Sequence, residues 1–570
     1  MPLHCASFHR PRTRILRIFC LAAVAGLGLI WLSLRSFDQD DQIPNFWADY
    51  PSLPFSSPPE QSQVLTPELP SVGENGTLPN NLLKSNPSLH ILMPARAKSQ
   101  DLCRSIASAM LLNYPPPTII QSGNLSSSYT LHDAVLSQIR GIVSFLEGNK
   151  HVNQSDLVLI VDGADAIFQL PPEVLIRRFQ RLVWTNNEKL RKKYGIAVTE
   201  DQGQEGVQKT VQKYSQRVVF AASKQCLPSS FDDVVCTTVP RSSLPPDIYG
   251  PETDIQGDGR RNRPRWLDPG VVMGQAADLK LIYERILEYV TLNQNINAYE
   301  RAFAQIYGRQ EYVRELERRR TTSLWKEWLW NIIGISDASN ITNVYLSLQP
   351  GKRYEFGIGL DFESQLFFAM NGSESDVEWI KYNDVERVLG VQSEHGVPRE
   401  RRLTLPVDLE QNTQNPFMQP LWRAGETAKP PYYNRTVDFL PDPKRADWHS
   451  LPLMTNVHTA SIPAVIHANG YVSFRDSCWW KMWYRPWSRA LLRKYMQSPL
   501  SGGGILWNMR GGTGGVWTIN DQWFKFEEFC GGYETKLFDD RWVSWDEDGK
   551  PIYNQWGNLI AGALKSSRNV

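Results

Sequence analysis

The rhythm of apolar and polar positions changes several times along this chain, and each change marks an element. Residues 89–94 (LHILMP) form an apolar run of strand type, residues 100–112 read as a helix, and 118–121 (TIIQ) as a second strand. Between 131 and 146, Leu131, Val135, Ile139, Ile142, Val143 and Leu146 recur at the helical period. Residues 156–161 (DLVLIV) are continuously apolar after the first, the pattern of a strand buried on both faces. A polar turn, DGADAIF, follows, and then a helix over 171–179 with proline near its start. Residues 217–223 (RVVFAAS) predict another short buried strand, VVMG after Gly270 one more, and 276–290 a helix with Leu279, Ile282, Tyr283, Ile286, Leu287 and Val290 on one face. Strands alternating with helices predict an α/β fold with a mostly parallel sheet flanked by helices.

The remaining segments break this rhythm. Residues 18–34 (IFCLAAVAGLGLIWLSL) form an apolar run just long enough to span a bilayer. His9, Arg10, Arg12, Arg14 and Arg17 precede it, which predicts a cytoplasmic tail over 1–17 and a luminal remainder. The alternative is a cleaved signal peptide, but the run exceeds the usual apolar region, and Trp31, Leu32 and Arg35 make a poor cleavage site. Residues 35–87 are rich in Pro, Ser and Asn without a periodic apolar face and predict an extended stem. Residues 88–500 would carry the main domain, with insertions near 186–216, 301–347 and 379–448, and 501–570 a Trp- and Gly-rich extension packed on it.

Composition adds little to this picture and excludes one partner class. The 570-residue chain carries a net charge of +1, so bulk charge offers no footing for nucleic acid. Sequons at Asn75, Asn124, Asn153, Asn340, Asn371 and Asn434 all lie beyond the apolar run and suit a luminal address. Beyond that run stand Cys103, Cys226, Cys236, Cys478 and Cys530, an odd number that leaves at least one thiol unpaired within the chain. Cys226 and Cys236 close the shortest loop and are the first expected disulfide.

Chemistry concentrates in Asp162-Gly-Ala-Asp165, at the carboxyl end of the 156–161 strand. Ligands of open α/β sheets bind beyond the carboxyl ends of strands. Two neighbouring carboxylates repel unless a cation or a salt bridge neutralises them, and a hard divalent ion shared with substrate phosphates is one solution. The plainer reading is a strand-end turn with Asp162 capping the next helix.

At this point the chain resembles the glycosyltransferase domain of the procollagen lysyl hydroxylase family, a GT-A type, Rossmann-like fold. The resemblance rests on five blocks in one order: 157–179 (LVLIVDGADAIFQLPPEVLIRRF), 218–228 (VVFAASKQCLP), 266–282 (WLDPGVVMGQAADLKLI), 360–368 (LDFESQLFF) and 465–470 (VIHANG). It implies that Asp162, Asp165 and His467 hold a divalent cation, Mn2+ or another, to which imidazole and carboxylate are both suited. Read alone, His467 after an apolar run is a satisfied core histidine. The resemblance places Asn469 and Gly470 near the donor, Asp268 and Gly270 facing the donor sugar, and Asp361 and Glu363 at the sugar pocket, with Lys481 in reach of phosphate. Asp361, Glu363 and Asn469 are the implied catalytic residues, the carboxylates bonding sugar hydroxyls or stabilising an oxocarbenium-like state. The bland alternatives are a tight turn for Asp268 and helix-end charge for Glu363. The implied donor is a nucleotide sugar, UDP-linked by analogy, with a hexose moved to a protein or glycan acceptor with retention, in the Golgi or endoplasmic reticulum.

The departures are specific. The family's base-stacking aromatic between the aspartates is Ala164 here, and its tryptophan after the 218–228 cysteine is Leu227. The acidic run before the QLF segment is reduced to Asp361 and Glu363, and the hydroxylase half is missing from the chain. A competing reading is an inactive, lectin-like luminal binding protein, with the tryptophans of 477–487 and 541–545 as a sugar-stacking surface.

Overall fold

Buried, unbroken apolar runs build the centre of the molecule. A computed structural model describes residues 88–121, 130–200, 208–226, 234–255, 258–295, 297–321, 348–398, 400–418, 440–470, 472–497, 514–533 and 537. The expected membrane run at 18–34 and the stem at 35–87 lie outside these residues, as do Leu227 and the tryptophans of 541–545. Among the described residues no helix is long and apolar enough to cross a membrane.

The first half follows the predicted alternation. Strand β1 (Leu89–Ala95) leads to helix α1 (Gln100–Leu111), β2 (Thr118–Gln121), α2 (Leu131–Gly148) and β3 (Leu157–Val161). Local chemistry sets the helix starts. Ser99 accepts the Leu102 N–H at 3.1 Å, and Thr130 with Asp133 forms a reciprocal capping box at the head of α2. After the short strand β4 (Ala166–Phe168), helix α3 runs over Pro172–Tyr194, fifteen residues past the predicted 171–179. Its polar second half has no apolar stripe to betray it, and it stops at Gly195, whose φ of +79° a side chain would resist. The 186–216 region therefore continues α3 and then forms an antiparallel pair, β5 (Ile196–Glu200) with β6 (Gln208–Gln212).

Strand β7 (Val218–Ser223) pairs with β8, which spans Trp266–Gln275 and so starts before Gly270 rather than after it. The register jumps from Phe220↔Val272 to Ala221↔Asp268, placing Pro269 and Gly270 in a bulge. A bulge is where a strand tolerates those residues, which is why sequence pattern reads them as a turn. Helices α4 (Ala276–Leu292) and α5 (Ala298–Thr321) follow, then β9 (Ile358–Asp361), β10 (Phe367–Ala369), β11 (Val377–Ile380), α6 (Val385–Glu394), β12 (Leu453–Asn456) and β13 (Val465–His467). The last elements among the described residues are α7 (Val472–Lys481), α8 (Ser488–Gln497), β14 (Gly515–Thr518), β15 (Trp523–Lys525) and α9 (Phe526–Cys530).

Among the described residues the main sheet has eight strands in the order β15-β14-β2-β1-β3-β8-β7-β9. All but β8 and β15 run the same way, so the fold is a mixed α/β structure with a mostly parallel sheet. Ile139, Ile142 and Phe145 of α2, Leu279, Ile282 and Ile286 of α4 and Phe303 of α5 pack over Val158, Ile160, Phe220 and Val272 as one core. Helix α1 is buried from Leu102 to Leu111, with β4 and α8 against it.

A three-stranded sheet, β10-β13-β4, stands apart from the main one. Arg178 of α3, 3 % exposed, ties it down, bonding both carboxylate oxygens of Asp408 and the carbonyls of Gln365 and Ile462. The described part of the extension joins the main domain, since β14 continues the main sheet beside β2 and Cys530 is bridged to Cys103 of α1. Cys226 and Cys236 form the expected disulfide, and Cys478 is free and buried, its thiol pushed up to about 12 by burial.

Candidate functional site

The site is assembled where the main sheet meets the small one. Asp162 follows β3, and its backbone N–H donates to the Gly270 carbonyl at 2.8 Å, fastening the turn to the β8 bulge. The Asp162 side chain accepts the Ala164 N–H at 2.9 Å, while the Asp165 and Ala166 N–H groups return to the Asp162 carbonyl. Gly163 sits so close to Pro94 of β1 that an added Cβ would lie 2.9 Å from its carbonyl oxygen. The turn thus presents both carboxylates on one side, Asp162 exposed and Asp165 partly buried.

His467 arrives through strand pairing. It lies opposite Ala166 in the β13–β4 ladder, and the next residue, Ala468, donates to the Asp165 carbonyl at 2.7 Å. Ligand atoms of Asp162, Asp165 and His467 fall within 4.8 Å of one another. Among the described residues this is the one such group of three histidine, cysteine or acidic side chains able to hold an ion together. The His467 ring, 95 % buried, lies flat on Gly270, where a Cβ would come within 1.9 Å of its Cε1.

Behind the imidazole stands Asp268, 4 % exposed. Its Oδ1 is 2.8 Å from His467 Nδ1 and accepts the Gly270 N–H at 2.9 Å. Its Oδ2 accepts Asn469 Nδ2 at 2.8 Å, and Asn469 Oδ1 accepts the Asn371 N–H at 3.0 Å. A carboxylate on one imidazole nitrogen is the arrangement that orients a metal-binding histidine. Asp268 and Asn469 therefore reach the centre through His467 and through the Asn371 turn, and Gly470, exposed with φ +123°, follows three residues after β13 ends.

Charge at the centre is balanced by neighbours. Arg475 of α7 puts Nη1 2.9 Å from Asp165 Oδ1 and 2.9 Å from Asp101 Oδ2. Burial and the Asp162 charge push the Asp165 carboxyl up, against the pull of Arg475 and His467. Burial would discharge His467, but Asp268, Asp162 and Asp165 outweigh it and raise the imidazole to about 9. Burial likewise opposes ionisation of Asp268, yet His467 and the bonds from Gly270 and Asn469 hold its carboxyl below the usual range. A metal held through this imidazole would compete with its proton.

The other expected residues lie differently. Asp361 is fully buried, and its oxygens accept the N–H groups of Gln365, Leu366 and Phe367, so its carboxylate closes the β9–β10 turn. Burial raises that carboxyl to about 6. Glu363 is exposed on the same turn and accepts from Gln365 Nε2 at 2.6 Å. Lys481 is exposed, its Nζ 4.4 Å from the centre of the Trp379 ring. Most of the 477–487 aromatic segment is interior: Trp479, Trp483 and Tyr484 are 0–1 % exposed, while Trp480 is 49 % exposed. Arg475 and Asp101 were not legible in the sequence, because nothing local signals an ion pair between a late helix and the head of α1.

Neither a model of a known protein family nor a curated protein matches the chain.

Proposed function

We propose that this chain is a divalent-cation-dependent glycosyltransferase that moves a hexose from a nucleotide sugar, UDP-linked, to a protein or glycan acceptor. The observation that carries the reading is the meeting of Asp162, Asp165 and His467 at the carboxyl edge of β3, with Asp268 set behind the histidine. Two carboxylates and an imidazole suit Mn2+, and such an ion, when bound, would neutralise charge on a departing diphosphate. Asp162, Asp165 and His467 would hold it. Asp268 orients the imidazole, and Asn469 fixes Asp268 while anchoring the Asn371 turn. The exposed Gly470 lets a ligand approach the backbone without a side chain in the way. In the transfer the bond from the anomeric carbon to the diphosphate breaks with its electron pair leaving on the diphosphate, a bond to the acceptor hydroxyl oxygen forms, and the hydroxyl proton passes to the released diphosphate or to water.

Two disulfides in the described residues support an oxidising compartment, in keeping with a type II anchor at 18–34 in the Golgi or endoplasmic reticulum. The internal position of Trp479, Trp483 and Tyr484 removes most of the 477–487 surface that a lectin-like reading would need. The test is Mn2+-dependent hydrolysis or transfer by the purified full-length protein across a panel of nucleotide sugars, beside Asp162→Asn and His467→Ala. Activity in the parent and near-complete loss in both variants is expected. Undiminished activity in Asp162→Asn would sink the metal assignment, and sugar binding without turnover across the panel would favour the lectin.

A further inference from the structure

Arg475 stands in the acidic centre as a resident cation. Its Nη1 bridges Asp165 and Asp101 at 2.9 Å each, and its side chain is 15 % exposed. The two contacts differ in kind. That to Asp101 is a hydrogen bond, whereas Asp165 Oδ1 has no aligned donor and Arg475 Nε is buried without a partner. The hold on Asp165 is therefore mainly Coulombic, and the guanidinium fork is only partly used. Arg178, by contrast, spends its Nε, Nη1 and Nη2 on Asp408 and two backbone carbonyls, as a structural arginine does.

The surroundings make release of Asp165 inexpensive. Asp101 keeps a second cation, Arg104, whose Nη1 is 3.0 Å from Asp101 Oδ1 and also bonds Asp476. Arg475 Nη1 lies 2.9 Å from Asp165 Oδ1, so its charge stands at the candidate cation centre itself. A planar guanidinium with unused donors is suited to bidentate phosphate recognition.

We propose that Arg475 is the site's own counter-ion, holding Asp165 until a divalent cation takes that carboxylate, and that the freed guanidinium then binds phosphate groups of the ligand. The phosphate half rests on the nucleotide-sugar reading above; the counter-ion half rests on the charge arrangement alone. Removing the arginine should then move two affinities in opposite directions, which loss of a purely structural tie cannot do.

Calorimetry on the full-length protein tests this with two probes, Mn2+ alone and inorganic pyrophosphate at saturating Mn2+. Arg475→Ala is expected to tighten Mn2+ binding about threefold to tenfold, as removal of a partly screened neighbouring charge does. It is expected to weaken pyrophosphate binding by about tenfold or more through loss of charge-assisted donors. Arg475→Lys keeps the charge but not the fork; it should leave Mn2+ binding near the parent's and still weaken pyrophosphate, and it carries the test if the alanine variant unfolds. Asp101→Asn should weaken Mn2+ binding, because Arg475 then leans wholly on Asp165. Both affinities unchanged, or both falling together, in Arg475→Ala would overturn the proposal while leaving the cation site intact. Failure of the parent to bind Mn2+ would instead overturn the cation reading and this proposal with it.

Discussion

Gly270 is the residue on which the candidate site turns. Its carbonyl holds Asp162, its N–H holds Asp268, and its bare Cα face carries the His467 ring. Ala at this position would put a methyl group 1.9 Å from His467 Cε1, so the ring must leave. Gly270→Ala is expected to abolish measurable Mn2+ binding, and Asp268→Asn to weaken it about 10- to 100-fold, the usual cost of losing the group behind a ligating histidine. Calorimetric titration with Mn2+ checks both. His458 gives a second residue-scale expectation, away from the centre. Burial, with Lys224 nearby, pulls its imidazole down to about 4, below the ordinary 6.5 of an unfolded chain. The unfolded state therefore binds the proton more readily, and stability from this group is full above 6.5 and is lost as pH falls through that value toward 4. At pH 5 the loss is about 2 kcal/mol relative to pH 7. Denaturant unfolding at the two pH values should show a smaller difference in His458→Gln by about that amount.

At the scale of elements, the small β10-β13-β4 sheet is what delivers His467 to Asp165. It is made of three-residue strands, too short to hold themselves, and its position depends on side chains reaching in from outside. Gln169 bonds the Met454 N–H and the carbonyls of Met454 and Pro463, while Arg178 bonds the loops before β10 and β13. Arg178→Ala would strand the Asp408 carboxylate and two carbonyls, and removal of one partner of a buried pair costs roughly 3–5 kcal/mol. Chemical denaturation should report that loss. A stability change below about 1 kcal/mol, the range of an exposed pair, would mean Arg178 does not anchor the small sheet. Local sequence could not announce these strands, since three residues carry no period and the partners of β13 lie in β4 and β10.

At the scale of the whole molecule, the C-terminal segment completes the main sheet. Strands β14 and β15 add to its β2 edge, and Cys103–Cys530 fastens α9 to α1, whose first turn bears Asp101. A cross-link between residues 427 apart removes much chain entropy from the unfolded state. Cys103→Ala with Cys530→Ala is expected to lower stability by about 2–5 kcal/mol. The Cys226→Ala and Cys236→Ala pair, which frees a loop of separation 10, should cost less. Thermal unfolding of the two double variants ranks them. Ranking in the reverse order would show that the long cross-link adds little beyond the sheet pairing.

The chain by itself determined whatever is written in a local period or a short spacing. The buried runs of β1, β3 and β7, the faces of α2 and α4, the DGAD turn at a strand end and the Cys226–Cys236 loop are all of that kind. Two features were misread for local reasons: Pro269 and Gly270 look like a turn but lie in a bulge, and the polar half of α3 lacks the stripe that marks a helix. Tertiary structure alone decided which distant groups meet. His467 reaches Asp165 because β13 pairs with β4, Asp268 reaches His467 because the bulge turns it inward, and Arg475 reaches Asp165 from a helix that begins after β13 ends. The β13–β4 pairing joins residues hundreds apart, and the period of a strand records that it pairs without recording with what.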